Sequence, residues 1–390
     1  MIYFKTILRM KSDKPIRKVV FRRNILNGVR ARTRNNKVKW CARTRTLTNK
    51  YITMCLNPTL MKNKKFVKNK KNRGVVPPVD DVRKLYVPIG CGFCIECRKQ
   101  KANNWRVRIL EEFKYDKNCS FVTLTFNDES LENIEVDILT ELNESMEIDD
   151  FKSMRIDVND IATKAIRRFL ERWRQKHGKS LKHWLITELG GEDDRIHLHG
   201  IIWSKDAEEI IDKWKYGHVY IGTYCNEKTI NYITKYVLKT DEKHKEFTGK
   251  VLSSKGIGKN YINSYAAKQN RYKDKNTRDF YRLNNGHKVQ LPIYYRNKIY
   301  TEDERGQLWI DRLDMEVRYV KGSEIDVSTE KGMINYLKAR EYHSKMDEQN
   351  GNLREKYKFK NNRKIYNTKV KLLSSLTKIN KNSKGNTKIK

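Results

Sequence analysis

The stretch SLKHWLITELGGEDDRIHLHGII, residues 181–203, constrains the chain most. Trp184 and Ile186 on one side, and Ile196, Leu198, Ile201 and Ile202 on the other, give two strand-like segments around the polar connection 190–195, which reads as a β-hairpin. Residues two apart in a strand share a face, so His197 and His199 project together. If the hairpin is symmetric, with Leu189 facing Ile196, then Glu188 sits opposite His197 on the same face and Ile186 opposite His199. Two imidazoles and one carboxylate converge, a donor set that can hold a divalent ion while leaving positions open for substrate and water. Half-buried strand histidines bonded to their neighbours are the plainer alternative.

A chain of 390 residues can bury a substantial core in one large or two medium domains. Its 84 Lys+Arg against 47 Asp+Glu leave a formal charge of +37, which points to a polyanionic partner, nucleic acid first and an anionic membrane second. No run of apolar residues is long enough to span a bilayer and no leader pattern is visible, so a soluble intracellular protein is expected. Seven cysteines, an odd number without secretion signals, argue against a disulfide framework.

Residues 1–79 hold 23 Lys/Arg and one acid, Asp13, and are expected to form an irregular basic subdomain with strand-like runs at 1–10 and 51–56. Pro77 and Pro78 bar a central strand near them. Three thiols, Cys91, Cys94 and Cys97, then follow at a spacing of three, a grip suited to one tetrahedral zinc, with Gly92 permitting the tight turn. Cys55 is the candidate fourth ligand and Cys119 the alternative; an iron–sulfur reading lacks its C-x₃-C-P continuation.

Helices are predicted at 98–115, 159–176, 205–215 and 228–240, and strands at 120–126 and 216–223. The helix at 159–176 carries Ile161, Ala165, Phe169 and Trp173 as a buried stripe and stops at Gly178. The acidic segment 127–150 reads as a solvated loop, with the weaker idea of a patch that keeps the basic surface from closing on itself. Beyond residue 240 the pattern blurs into a strand and helical material to residue 349, followed by a basic tail of forty residues with 13 Lys/Arg. The order strand, helix, hairpin opens a split βαβ sheet, and therefore an α+β fold.

On the helix 228–240, Ile230, Ile233 and Val237 share one face, and Tyr232, Tyr236, Lys235 and Lys239 occupy the opposite one. Two phenols a turn apart beside two ammonium groups suit a nucleophile that needs help, because a free phenol has a pKa near 10. With 21 Tyr in the chain, a tyrosine-rich surface is the plainer alternative.

The succession F-x-x-L-T-F at 121–126, Glu188 with His197-Leu198-His199, and Y-x-x-K-Y-x-x-K at 232–239 resembles the HUH endonucleases that start rolling-circle DNA replication. The likeness is greatest to the two-tyrosine initiators of gokushovirus-type single-stranded DNA phages, and it takes in the preceding C-G-x-C-x-x-C-R. It covers roughly residues 50–240. The resemblance implies a central antiparallel sheet of the HUH type with flanking helices, Mg²⁺ or Mn²⁺ on Glu188, His197 and His199, and attack by Tyr232 or Tyr236 supported by Lys235 and Lys239. The expected product is a 5′-phosphotyrosine adduct and a free 3′-hydroxyl. Expected partners are single-stranded DNA, the origin in supercoiled double-stranded DNA and a host helicase or polymerase, in the host bacterial cytoplasm and without a membrane. Arg98, Lys99, Lys101, Arg167 and Arg168 are the candidate DNA contacts. The expected organisation is a basic region with a zinc knuckle at 1–100, an endonuclease core at 101–245, an extension at 246–350 and a basic tail at 351–390. A relaxase or transposase of the same chemistry, a water-using phosphodiesterase, and a zinc-containing DNA-binding protein are the competing readings.

Overall fold

The computed structural model describes residues 55–143, 156–191, 194–222, 224–241, 243–244 and 247–350. The expected runs at 1–10 and 51–56 lie outside them, save for Cys55 and Leu56, as does the tail 351–390. The described elements are, in order, strands β1 (Thr59–Lys62) and β2 (Tyr86–Ile89), helix α1 (Ile95–Tyr115), β3 (Ser120–Leu124), α2 (Asp128–Asn143), α3 (Val158–His177), β4 (His183–Leu189) and β5 (Ile196–Ile202). There follow α4 (Ala207–Trp214), β6 (Val219–Gly222), α5 (Glu227–Lys235), β7 (Val251–Ser253), α6 (Tyr265–Lys268), β8 (Phe280–Arg282) and β9 (Lys288–Gln290). The last are α7 (Ile293–Ile299), α8 (Glu302–Asp314), β10 (Val317–Val320), β11 (Ser323–Asp326) and α9 (Glu330–Gln349).

Five strands form one sheet in the order β6-β3-β5-β4-β7, with every neighbouring pair antiparallel, so the fold is α+β with helices on both faces. The histidine strand β5 is the middle one. Alternation along the strands sends Trp184, Ile186 and Ile201 to one face, where they meet Val107 and Ile109 of α1 and Ile230 and Ile233 of α5. Val122, Leu124, Leu185, Leu198 and Ile202 go to the other, against Ile161, Ala165 and Phe169 of α3. Gly200 is required in β5, since a Cβ there would lie 2.1 Å from the Trp184 carbonyl oxygen.

Helix α3 starts at the Asp157 cap, whose side chain accepts from the Asn159 N–H, and ends at Gly178 in the left-handed region with φ of 66°. The segment expected as a loop at 127–150 is instead helical over Asp128–Asn143. Leu131, Ile134 and Ile138 recur at helical spacing and pack on the α3 side of the core, with Ile134 only 1% exposed. The acids of α2 answer the bases of α3: Asp137 pairs with Arg168 at 2.6 Å and Glu141 with Lys164 at 2.8 Å.

The expected helical material at 304–349 is interrupted by the β10–β11 hairpin. Its turn uses Lys321 and Gly322, both at positive φ, which suits the twist of a tight hairpin. This hairpin and α9 supply Val320, Val327 and Tyr336 to a small core around Leu56 and Cys94. Ile95 N–H donates to Asp347 at 2.9 Å and Asn57 donates to Ser344 at 2.7 Å, so the cysteine region and the C-terminal helix are tied directly.

Candidate metal and tyrosine centre

The β4–β5 register pairs Leu189 with Ile196, Glu188 with His197 and Ile186 with His199, as a symmetric hairpin requires. Glu188, His197 and His199 offer ligand atoms that all lie within 4.8 Å of one another. Glu188 Oε2 stands 3.0 Å from His199 Nε2 and 3.4 Å from His197 Nε2. Both rings are oriented from behind: His197 Nδ1 is 3.2 Å from the Arg195 carbonyl and His199 Nδ1 is 2.9 Å from Thr123 Oγ1. A carbonyl only accepts, so Nδ1 of His197 carries the proton and Nε2 keeps its lone pair toward Glu188. Burial opposes the Glu188 charge, but His197, His199 and Lys239 outweigh it and hold the carboxyl well below the usual range. This donor set, with Nδ1 atoms engaged and Nε2 atoms turned to a carboxylate, fits a divalent cation.

Helix α5 is entered through a reciprocal cap between Asn226 and Thr229. It ends earlier than the sequence pattern predicts, at Lys235, because residues 236–238 tighten into i-to-i+3 hydrogen bonds. Ile230, Ile233 and Val237 are buried as expected, and the opposite face carries the tyrosines. Tyr232 and Tyr236 share a hydrogen bond between their hydroxyls, with ring centroids 5.3 Å apart. Tyr236 stacks on His199 at 4.6 Å and 12°, while Phe121 lies parallel to that imidazole at 6.3 Å. Burial, the Tyr232 hydroxyl and the Glu188 charge push the Tyr236 phenol above its ordinary range. Lys239 reaches Glu188, and this contact raises its pKa. Lys235 is exposed and forms no ion pair among the described residues.

Cys55, Cys91, Cys94 and Cys97 form a second cluster within 4.8 Å, while Cys119 lies in the core beside α1 and β4. Backbone N–H groups point at its sulfurs: Cys91 N to Cys55 Sγ at 3.1 Å, Cys94 N to Cys91 Sγ at 3.3 Å and Leu56 N to Cys94 Sγ at 3.5 Å. Crowding by neighbouring thiols pushes Cys94 and Cys97 up, so a shared cation is what lets four thiolates coexist. Four sulfurs with donated N–H bonds fit a structural zinc ion.

The candidate DNA contacts need correction. Arg98 is only 4% exposed, and its guanidinium donates to the Leu238 carbonyl and to Thr240, so it ties α1 to the end of the tyrosine segment and cannot meet a phosphate. Arg168 is paired with Asp137, and both it and Arg167 stand on α3, which covers the face of the sheet opposite the histidines. Lys99 pairs with Glu96 at 3.1 Å, and Lys101 is exposed. Thr123 escaped the sequence reading; its signal was the alternation that puts it two residues from Phe121 on the histidine face.

An enclosed sulfur cluster and an open cluster of two imidazoles and a carboxylate beside a phenol pair are consistent with a nuclease-type enzyme. A family model of replication-associated proteins of the ORF2 type matches residues 119–241, the segment that holds the sheet and the tyrosine helix. "Replication-associated protein VP4" of Bdellovibrio phage phiMH2K is 24% identical over 232 residues, covering 53% of this chain and 66% of that protein. The chain thus spans just under two thirds of that relative's length, and the likeness is a distant homology to phage replication proteins of the Rep/HUH type. No solved structure matches the chain. Among the described residues no helix is long and apolar enough to cross a membrane.

Proposed function

We propose that the chain is a site-specific single-strand DNA endonuclease and strand transferase that starts rolling-circle replication of a single-stranded DNA phage genome, in the cytoplasm of its bacterial host. One juxtaposition carries this reading: the Tyr236 ring is stacked on His199, whose Nε2 faces Glu188, and its hydroxyl is bonded to that of Tyr232. Glu188, His197 and His199 would hold Mg²⁺ or Mn²⁺, which when bound supplies polarisation of the scissile phosphate.

The chain's own groups do the rest. A phenol oxygen of Tyr232 or Tyr236 bonds to phosphorus as the bond to the 3′-oxygen breaks; the phenol gives up its proton and the 3′-oxygen gains one. One phosphodiester replaces another, so the step is reversible and the free 3′-hydroxyl can prime a polymerase. Because its surroundings keep the Tyr236 phenol protonated, attack needs a neighbouring positive charge, and the Lys239 ammonium stands at the Glu188 carboxylate beside it. The second phenol is in position to take up the new junction while the first holds its end. Residues 101–245 form the proposed catalytic unit, and the four cysteines the proposed zinc module that anchors its first helix.

The test is a denaturing gel of supercoiled and single-stranded DNA incubated with Mn²⁺ and the wild-type chain, Tyr232→Phe, Tyr236→Phe or both. A covalent adduct that is lost only in the double variant is expected, with loss of at least roughly a thousandfold, as removal of a covalent nucleophile gives. An adduct that survives in the double variant rejects both assignments; cleavage without adduct means water attack. Closure of the product into a circle separates replication from transposition.

A further inference from the structure

A cleft of about 680 Å³ opens between β2, α7, α8 and β10, and none of the centre's residues lines it. Four of its lining residues are arginines, Arg296, Arg305, Arg312 and Arg318, and none is Asp or Glu. Among the described residues a single carboxylate, Asp279, pairs with any of these four, through Arg312. Arg305 donates to the Tyr300 carbonyl at 2.7 Å, and Arg318 donates to the carbonyls of Arg312 at 3.1 Å and Leu313 at 3.2 Å. Carbonyls aim a guanidinium without neutralising it.

Arg296 is the least provided for: its Nε is buried without a hydrogen-bond partner. Burial first, and then the like charge of Arg312, pull its pKa down to about 10. A buried, unpaired charge beside others of the same sign is costly unless an anion joins them. The rest of the wall is apolar and aromatic, including Ile293, Leu313, Tyr319 and Trp309, whose buried Nε1 also lacks a partner. Inorganic phosphate alone would leave most of such a cavity unfilled, whereas a base and a phosphate together match an aromatic wall and a guanidinium cluster.

We propose that this cleft is a second nucleotide site, taking one nucleoside phosphate with its phosphate on Arg296, Arg305 and Arg312 and its base against Trp309. The unit comes either from a soluble nucleotide or from one residue of a nucleic-acid strand. An acidic peptide offers carboxylates but no ring for Trp309, and the observations favour it less.

The full-length chain is dialysed to equilibrium against labelled dATP and, separately, against a 5′-phosphorylated pentathymidylate, for wild type, Arg296→Met and Trp309→Leu. Melting of each variant is followed in parallel. Binding about tenfold or more weaker in Arg296→Met is expected, the size of one lost charge-assisted hydrogen bond. Arg296→Met should melt no lower than wild type, because a crowded charge has been removed. Binding of dATP assigns the site to soluble nucleotides, and binding of the oligonucleotide alone assigns it to a strand. Each outcome supports the site if Arg296→Met weakens it. The proposal is overturned if wild type binds neither probe, if Arg296→Met binds both unchanged, or if pentaglutamate competes as well as dATP. Because the cleft is remote in sequence and composition from Glu188, the binding lost in Arg296→Met should be the same in a Glu188→Gln background, whatever becomes of the endonuclease reading.

Discussion

The cluster of Glu188, His197 and His199 and the cluster of four cysteines both gather donors within 4.8 Å, but they are assembled by different means. The first takes all its donors from one hairpin, and strand register alone sets their spacing. Its far side is open to two phenols, one of them 50% exposed. The second draws Cys55 from a distant segment, is held by loop N–H groups, and is roofed by β10 and α9. Local geometry made the reactive centre; long-range closure made the structural one. A centre that must admit a substrate gains from donors on a rigid sheet, whereas an enclosed cluster joins pieces that have little core of their own.

If that contrast is right, the two clusters fail in opposite ways. Glu188→Ala should remove strand cleavage by more than the roughly 100-fold that loss of an outer partner costs, while the melting temperature moves by only a few degrees. A gel assay and a melt on the same preparation read both. Cys94→Ser should do the reverse: one equivalent of zinc is lost by colorimetric assay, and the module around Leu56 and Tyr336 unfolds at lower denaturant. Cleavage of a pre-opened strand per folded molecule should then stay within a few-fold. Equal loss of cleavage in both variants would erase the distinction.

Thr123→Val tests the support behind His199. It removes the hydroxyl at Nδ1 without changing the shape of β3, and a fall of about 10–100-fold in metal affinity or cleavage is expected. The smallest effect concerns pH. His183 at the start of β4 is buried, and burial lowers its pKa below the model-compound value of 6.5. The unfolded chain therefore binds a proton that the folded chain refuses, and stability falls as pH drops below 6.5, by up to about 1.4 kcal/mol per pH unit for one group. His183→Gln should flatten that slope in denaturant titrations between neutral and mildly acid pH.

What the sequence disclosed follows the same division. The hairpin was legible because period-2 alternation on both sides of a short polar turn leaves one sensible register, and α3 because Ile161, Ala165, Phe169 and Trp173 repeat every four residues. Helix α2 was hidden by its acids, although Leu131, Ile134 and Ile138 carried the helical period. Strand β7 is three residues long and pairs with β4 across more than sixty residues, which no local pattern announces. Arg98 was misread because it follows a cysteine motif in a basic run; the burial that silences it comes from the end of α5, far along the chain. Of the cysteines, three were evident from spacing, and the fourth rested on the turn-like setting of Cys55.

Helix α2 carries six acids and no base along one side of the protein, and its carboxylates quench part of the α3 surface beneath. In a chain so rich in lysine and arginine, such a shield gives the molecule a front and a back. A polyanion drifting toward the shielded side meets repulsion, and one drifting toward the open side is drawn in. Encounters are thereby sorted before any base is read, and fewer of them end with the strand lying against the wrong wall.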